Sequence, residues 1–154
     1  MARAYYSTVF SQSADDLWSV IRDFNNYPVW VDGSGESEIE DGKSSDAVGA
    51  VRNVLYQGKR IRQILLALSD VERAQTYAFC GEPPMPVRDY RATLRVVPVT
   101  DGSRAFVEWS ATSIARWSGR GSGAPSSATP SGAGLDRCGG ISMGGANKAP
   151  RALF

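Results

Sequence analysis

Six side chains carry most of the chemistry this chain can offer: Trp30, Gln63, Tyr77, Tyr90, Leu94 and Trp109. The tyrosines supply phenol hydroxyls, the tryptophans supply broad apolar rings with one N–H donor each, and the Gln63 amide both donates and accepts. Brought together, they would line an apolar cavity whose few polar groups orient the polar end of a hydrophobic ligand. The same residues would serve equally well as ordinary core, with their polar ends satisfied by the backbone. The sequence contains no histidine, which removes imidazole bases, Ser-His-Asp triads and histidine metal ligands. Acid–base work would fall to Tyr, Asp, Glu or ordered water.

The charged residues offer less. Arg52, Arg60 and Arg62 could hold the carboxylate of an acidic ligand, or could lie on a solvated sheet face balanced by nearby acids. Glu36, Glu38 and Glu40 alternate along a polar segment that reads as exposed, without the cleft that a catalytic carboxylate pair requires. Asp70 and Arg73 are expected to fix a hairpin turn. Cys80 and Cys138 are the two cysteines; a disulfide or metal site between such dissimilar segments is not expected, and Cys80 reads as a core or strand-end thiol. Gly119, Gly121 and Gly123 lack the spacing and strand-to-helix context of a dinucleotide loop, so no cofactor is expected.

Charge and hydropathy bound the partners. The 154 residues hold 17 Lys/Arg against 16 Asp/Glu, a formal charge of +1. Residues 1–109 hold 12 basic and 15 acidic side chains, and residues 110–154 hold 5 and 1. Neither part is basic enough to suggest nucleic acid, and no apolar run is long enough for a membrane span. The start of the chain lacks the apolar stretch of a secretory signal, so a cytoplasmic location is expected.

The elements that must position the six residues follow from periodicity. A strand is predicted over Arg3–Phe10. Ser13 then suits a helix N-cap, with Asp16 three residues on, and Leu17, Val20, Ile21 and Phe24 recur at helical spacing. Tyr27-Pro28 ends that helix or begins a second short one, and Trp30 and Val31 form an apolar corner. A polar edge strand and its loop occupy Gly33–Asp46. Strand-like runs follow over Val48–Tyr56, Arg60–Leu68, Arg73–Phe79, Val87–Val97 and Arg104–Ala111. The separators Gln57-Gly58, Ser69-Asp70, Gly81–Pro86 and Thr100–Ser103 suit turns, which predicts an antiparallel meander and an α+β class. Parity along these strands places Tyr90, Ala92, Leu94 and Val96 on one face with Val107, Trp109, Gln75, Tyr77 and Phe79. Around Gln63 the parity is ambiguous; the face shared by Ile61, Gln63, Leu65 and Ala67 is taken as inward.

A strand, a helix pair and a long meander, with the residues that fill them, resemble the START-like, Bet v 1-like superfamily known as SRPBCC, and within it the polyketide cyclase/dehydrase-like and MxaD-like members. The resemblance is carried by Ala14–Trp18 with Asp23–Trp30, by Leu65–Asp70 with Arg73 and Tyr77, and by Tyr90–Leu94 with Val107–Ala111. It implies a helix-grip fold, in which a bent sheet wraps a long C-terminal helix around an apolar cavity. It also implies binding or transformation of a hydrophobic small molecule: a lipid, a sterol-like compound or an aromatic polyketide. A polyketide cyclase/dehydratase-like enzyme and a non-catalytic assembly or interaction protein are the alternatives.

The chain departs from that pattern after about Thr112. Residues 110–154 contain 9 Gly, 8 Ser, 8 Ala and 3 Pro, the composition of a flexible tail rather than of an amphipathic helix. The expected organisation is therefore a START-like domain over residues 1–112 and an irregular tail over residues 113–154, either a genuine tail or the product of a shifted reading frame. With the family's closing helix replaced, a second copy of the chain becomes a candidate cover for the apolar sheet face.

Overall fold

The computed structural model describes residues 1–115, together with the backbone of a short hairpin at 140–143 and 147–151. The expected 113–154 tail, with Cys138, otherwise lies outside the described residues. Strand β1 (Ala2–Phe10) is followed by helices α1 (Ala14–Ile21) and α2 (Tyr27–Trp30), with a 3-10 turn at Phe24–Asn26 between them. Strands β2 (Ser34–Ile39), β3 (Val51–Tyr56), β4 (Lys59–Ser69), β5 (Ala74–Phe79), β6 (Val87–Val99) and β7 (Arg104–Ala115) complete the main body. Gly140–Met143 (β8) and Asn147–Arg151 (β9) pair as a separate two-stranded ribbon.

The seven strands form one curved antiparallel sheet in the order β1-β7-β6-β5-β4-β3-β2. Each strand from β2 to β6 pairs with its successor, as short turns demand. At the β3–β4 turn Gln57 and Gly58 both adopt positive φ, +47° and +78°, which the tight hairpin requires and glycine tolerates at no steric cost. Since β1 closes on β7, the helices between β1 and β2 must cross the sheet from one edge to the other. This is the α+β, helix-grip, Bet v 1-like fold.

Helix α1 starts where Ser13 accepts a hydrogen bond from the Asp16 amide at 3.1 Å. It buries Leu17, Trp18 and Ile21 against the sheet, leaving Val20 half-buried; Trp18 thus occupies a place the helical reading omitted. Asp70 and Arg73 go beyond fixing a turn. Asp70 accepts from the Trp18 indole at 2.9 Å and from Arg22 Nε at 2.7 Å, while Arg73 pairs with Asp15, so the β4–β5 turn is a dock for α1. Pro28 sits in the first turn of α2, where its missing N–H costs nothing.

One face of the sheet and the helices share a single core. Parity holds for Ile61, Gln63 and Leu65, but Ala67 is exposed and the half-buried Leu68 packs on the core instead. A register shift between Leu65 and Ala67 exchanges the faces, as one extra residue in a strand must. Cys80 follows β5 as a half-buried free thiol, a strand-end position. Among the described residues, no helix is long and apolar enough to cross a membrane.

Candidate ligand site on the inner face

The inner face is assembled by strand register. Arg52 on β3 lies opposite Gln63 on β4, Gln63 lies opposite Phe79 on β5, and the Phe79 ring stacks on Tyr90 of β6 with centroids 4.2 Å apart. A second row runs from Leu65 to Tyr77 to Ala92, and a third brings Gln75, Leu94 and Trp109 side by side. From the helical side, Trp30 reaches Trp109 at 5.9 Å between centroids and meets Tyr27 edge-on at 5.2 Å. All six residues singled out from the sequence therefore belong to one buried face, and none is more than 7% exposed.

Arg52 is the residue the sequence leaves open between an acid-binding position and a solvated sheet face. It was grouped with Arg60 and Arg62, yet those two lie on the outer face, with Arg60 bound to Glu36 and Arg62 to Glu40. Arg52 is 1% exposed, and its guanidinium carbon sits 4.0 Å from the Phe24 ring centroid, 4.1 Å from that of Tyr27 and 5.5 Å from that of Tyr77. Such an aromatic cage attracts a cation through the ring quadrupoles. Arg52 Nη1 donates to the Phe24 carbonyl at 2.6 Å, and Nε donates to Gln63 Oε1 at 3.1 Å, an oxygen that Nη2 also reaches. Among the described residues no carboxylate pairs with it. Arg52 shares its parity with Val54 and Tyr56, so period two along β3 was the available signal.

Burial sets the electrostatics. Loss of water pushes the Arg52 guanidinium down to about 10, against the pull of the neighbouring tyrosines and Asp23, so it stays a cation at neutral pH. The same desolvation holds the Tyr27, Tyr77 and Tyr90 phenols well above their ordinary value. These tyrosines are therefore hydrogen-bond donors at neutral pH and poor bases. The neighbouring Trp109 indole pulls the Tyr77 phenol slightly down, against the larger effect of burial.

Several buried polar atoms of the site have no partner among the described residues. Gln63 Nε2, the Tyr90 hydroxyl and Trp30 Nε1 can all donate; Gln75 Oε1, whose amide nitrogen donates to the Ile21 carbonyl at 3.3 Å, can accept. A buried donor left without an acceptor is costly, so each calls for an occupant. Tyr90 also lines an open groove of about 620 Å³, together with Phe79, Pro83, Val87 and Arg91, beside the loop between β5 and β6. Among the described residues no cluster of three or more His, Cys, Asp or Glu could hold a metal.

Comparison with known proteins agrees with this geometry. The family model described as polyketide cyclase/dehydrase and lipid transport matches residues 1–136. No curated protein matches the chain. Among solved structures, XoxI from Bacillus cereus is 30% identical, with a TM-score of 0.67 over 75% of this chain and 78% of its own. A protein from Nitrosospira multiformis is 26% identical, with a TM-score of 0.67 over 76% and 81% of the two chains. Norcoclaurine synthase from Thalictrum flavum, solved as a point mutant with a transition-state analogue, is 18% identical; its TM-score of 0.60 over 75% and 76% of the two chains shows a shared fold.

Proposed function

Since the chain belongs to the polyketide cyclase/dehydrase and lipid-transport family, we propose that it binds a hydrophobic small molecule, of lipid, sterol-like or aromatic polyketide character, between the inner face of its sheet and its helices. The observation that carries this is the set of buried donors with no partner, Gln63 Nε2, the Tyr90 hydroxyl and Trp30 Nε1, within an otherwise apolar and aromatic face. An apolar ligand body would pack against Trp30, Leu94 and Trp109, while its oxygen atoms would receive the donors. The cytoplasmic location is part of the same proposal.

A cyclase-like activity is the second reading, because the same donors could hold the enol oxygens of a folded poly-β-keto chain and bring its reacting carbons together. The high phenol pKa values favour orientation over proton abstraction and so favour binding. Incubation with a reactive poly-β-keto mimic separates the two. Retention of the mimic in native mass spectrometry without faster ring closure supports binding, whereas turnover lost in Tyr90→Phe supports catalysis. An interior that takes up no apolar molecule, combined with a stable protein partner, would overturn both in favour of an assembly role. Sedimentation tests the expected second copy: a pure, stable monomer at tens of micromolar would overturn dimerisation as the cover of the sheet.

A further inference from the structure

We infer that the ligand of this site is an anion, an amphiphile whose single carboxylate or enolate oxygens are received by the Arg52–Gln63 pair and the Tyr90 hydroxyl. The inference rests on the binding function proposed above and narrows its ligand class.

Three features of the inner face converge on it. The first is charge: Arg52 is a buried cation, and among the described residues no carboxylate lies within ion-pair distance of it, Asp23 acting on it only from further off. Its aromatic cage of Phe24, Tyr27 and Tyr77 and its two oxygen acceptors, the Phe24 carbonyl and Gln63 Oε1, are all formally neutral. Buried charges are normally balanced by a partner of opposite sign. The second is the orientation of Gln63. Because its Oε1 is claimed by two guanidinium nitrogens, its amide must be turned with Nε2 away from Arg52, leaving two N–H donors buried without an acceptor. The third is Tyr90, buried and protonated, whose hydroxyl has no partner among the described residues.

The cage alone explains how the cation is tolerated, but it leaves the Gln63 and Tyr90 donors unaccounted for. A neutral carbonyl would satisfy one or two donors without balancing the charge; a carboxylate or enolate does both, and charge-assisted hydrogen bonds are the strong ones. Position agrees, since register and the Phe79 stack carry one row of the inner face from Arg52 through Gln63 to Tyr90. The one unpartnered acceptor of this face, Gln75 Oε1, belongs to a side chain held at the end of α1.

The test pairs anthracene-2-carboxylate with its methyl ester on the full chain, read by quenching of tryptophan fluorescence. The acid is expected to bind about tenfold more tightly than the ester, as one charge-assisted interaction would give. Arg52→Met should bring the two within about twofold of each other, chiefly through loss of affinity for the acid. Equal affinity of the intact protein for acid and ester would overturn the anionic ligand and leave hydrophobic binding standing. Failure to bind either compound would overturn both. The acid–ester comparison needs no variant, so it decides the matter even if Arg52→Met does not fold.

Discussion

Arg52 and Arg62 belong to neighbouring positions of the same hairpin, and the sheet sends them to opposite fates. Arg62 lies opposite Asn53, one residue from Arg52, so the pleat turns it to the outer face. There it makes a two-pronged contact with Glu40, one arm at 2.7 Å, in partial contact with water. Arg52, turned inward, meets rings, an amide and a carbonyl. The outer face solves its charges locally, with Arg60–Glu36, Arg62–Glu40 and Arg95–Glu72 pairs. Pairs of that kind contribute little to stability. The inner face carries a cation that, among the described residues, has no carboxylate within ion-pair distance, only Asp23 further off.

The largest difference between the faces is expected on β7, where adjacent residues point opposite ways. Trp109 is 1% exposed and packs on Trp30, so Trp109→Ala should cost about 3–5 kcal/mol in urea denaturation. Glu108→Ala, on the outer face, should move the midpoint within error. Comparable losses at the two positions would mean that the inner face is not a core.

Arg52→Ala comes next. Removing the guanidinium leaves Gln63 Oε1 and the Phe24 carbonyl buried without donors and opens a void between three rings, an expected loss of about 3 kcal/mol. Arg52→Met should cost clearly less, because it fills the void that alanine leaves, although both variants leave the same two acceptors without donors. Arg62→Ala should change the same denaturation curve far less than Arg52→Ala. If Arg52→Met proved as damaging as Arg52→Ala, the guanidinium would be a structural pin.

How these two faces could be anticipated varies from strand to strand. Tyr90, Ala92, Leu94 and Val96 fall on one parity of β6, and Val107 and Trp109 on one parity of β7, because both strands alternate cleanly and pair without a break over Arg91–Val99. On β4 the pattern Ile64, Leu65, Leu66 has no alternation to read, and the bulge after Leu65 then moves Ala67 to the outside; a face exchange of this kind is a pairing event with no local residue signature. Arg52 was hidden for another reason. A charged residue in a strand is ordinarily assigned to solvent, and the neutral partners that hold it inward, Phe24 and Tyr27, lie more than 20 residues earlier in the chain. The helix start at Ser13, by contrast, needed nothing beyond its own turn.

That start is a smaller and intermediate test, because an exposed polar bond there positions a buried face. Ser13→Ala removes the acceptor of the Asp16 amide and should cost about 1 kcal/mol. Loosened capping should also reduce the docking of Leu17, Trp18 and Ile21, visible as faster amide hydrogen exchange in α1 than in β6 and β7. Equal acceleration throughout would mean that α1 and the sheet open as one unit.

The smallest effect is expected on the acid side of neutrality, and it should come from carboxyls outside the buried inner face. Arg62 holds the Glu40 carboxyl below its ordinary value by hydrogen bonding, Ser44 and Arg22 do the same for Asp46, and Arg22 and Trp18 do it for Asp70. A carboxyl with a depressed pKa in the folded state binds its proton more readily once unfolded. Its stabilisation is therefore present above the unfolded value, 4.5 for Glu and 3.8 for Asp, and is lost as pH falls through the lower folded one. The melting temperature should accordingly fall as pH is lowered through this acid range, and Glu40→Gln should make that fall shallower by removing one of the three contributors. Arg52 remains charged throughout that range, so the melting curve of Arg52→Met should keep the acid-side slope of the intact protein. A slope abolished by Arg52→Met would mean that a carboxylate titrates against the buried guanidinium, and the division between the two faces would fail at its central residue.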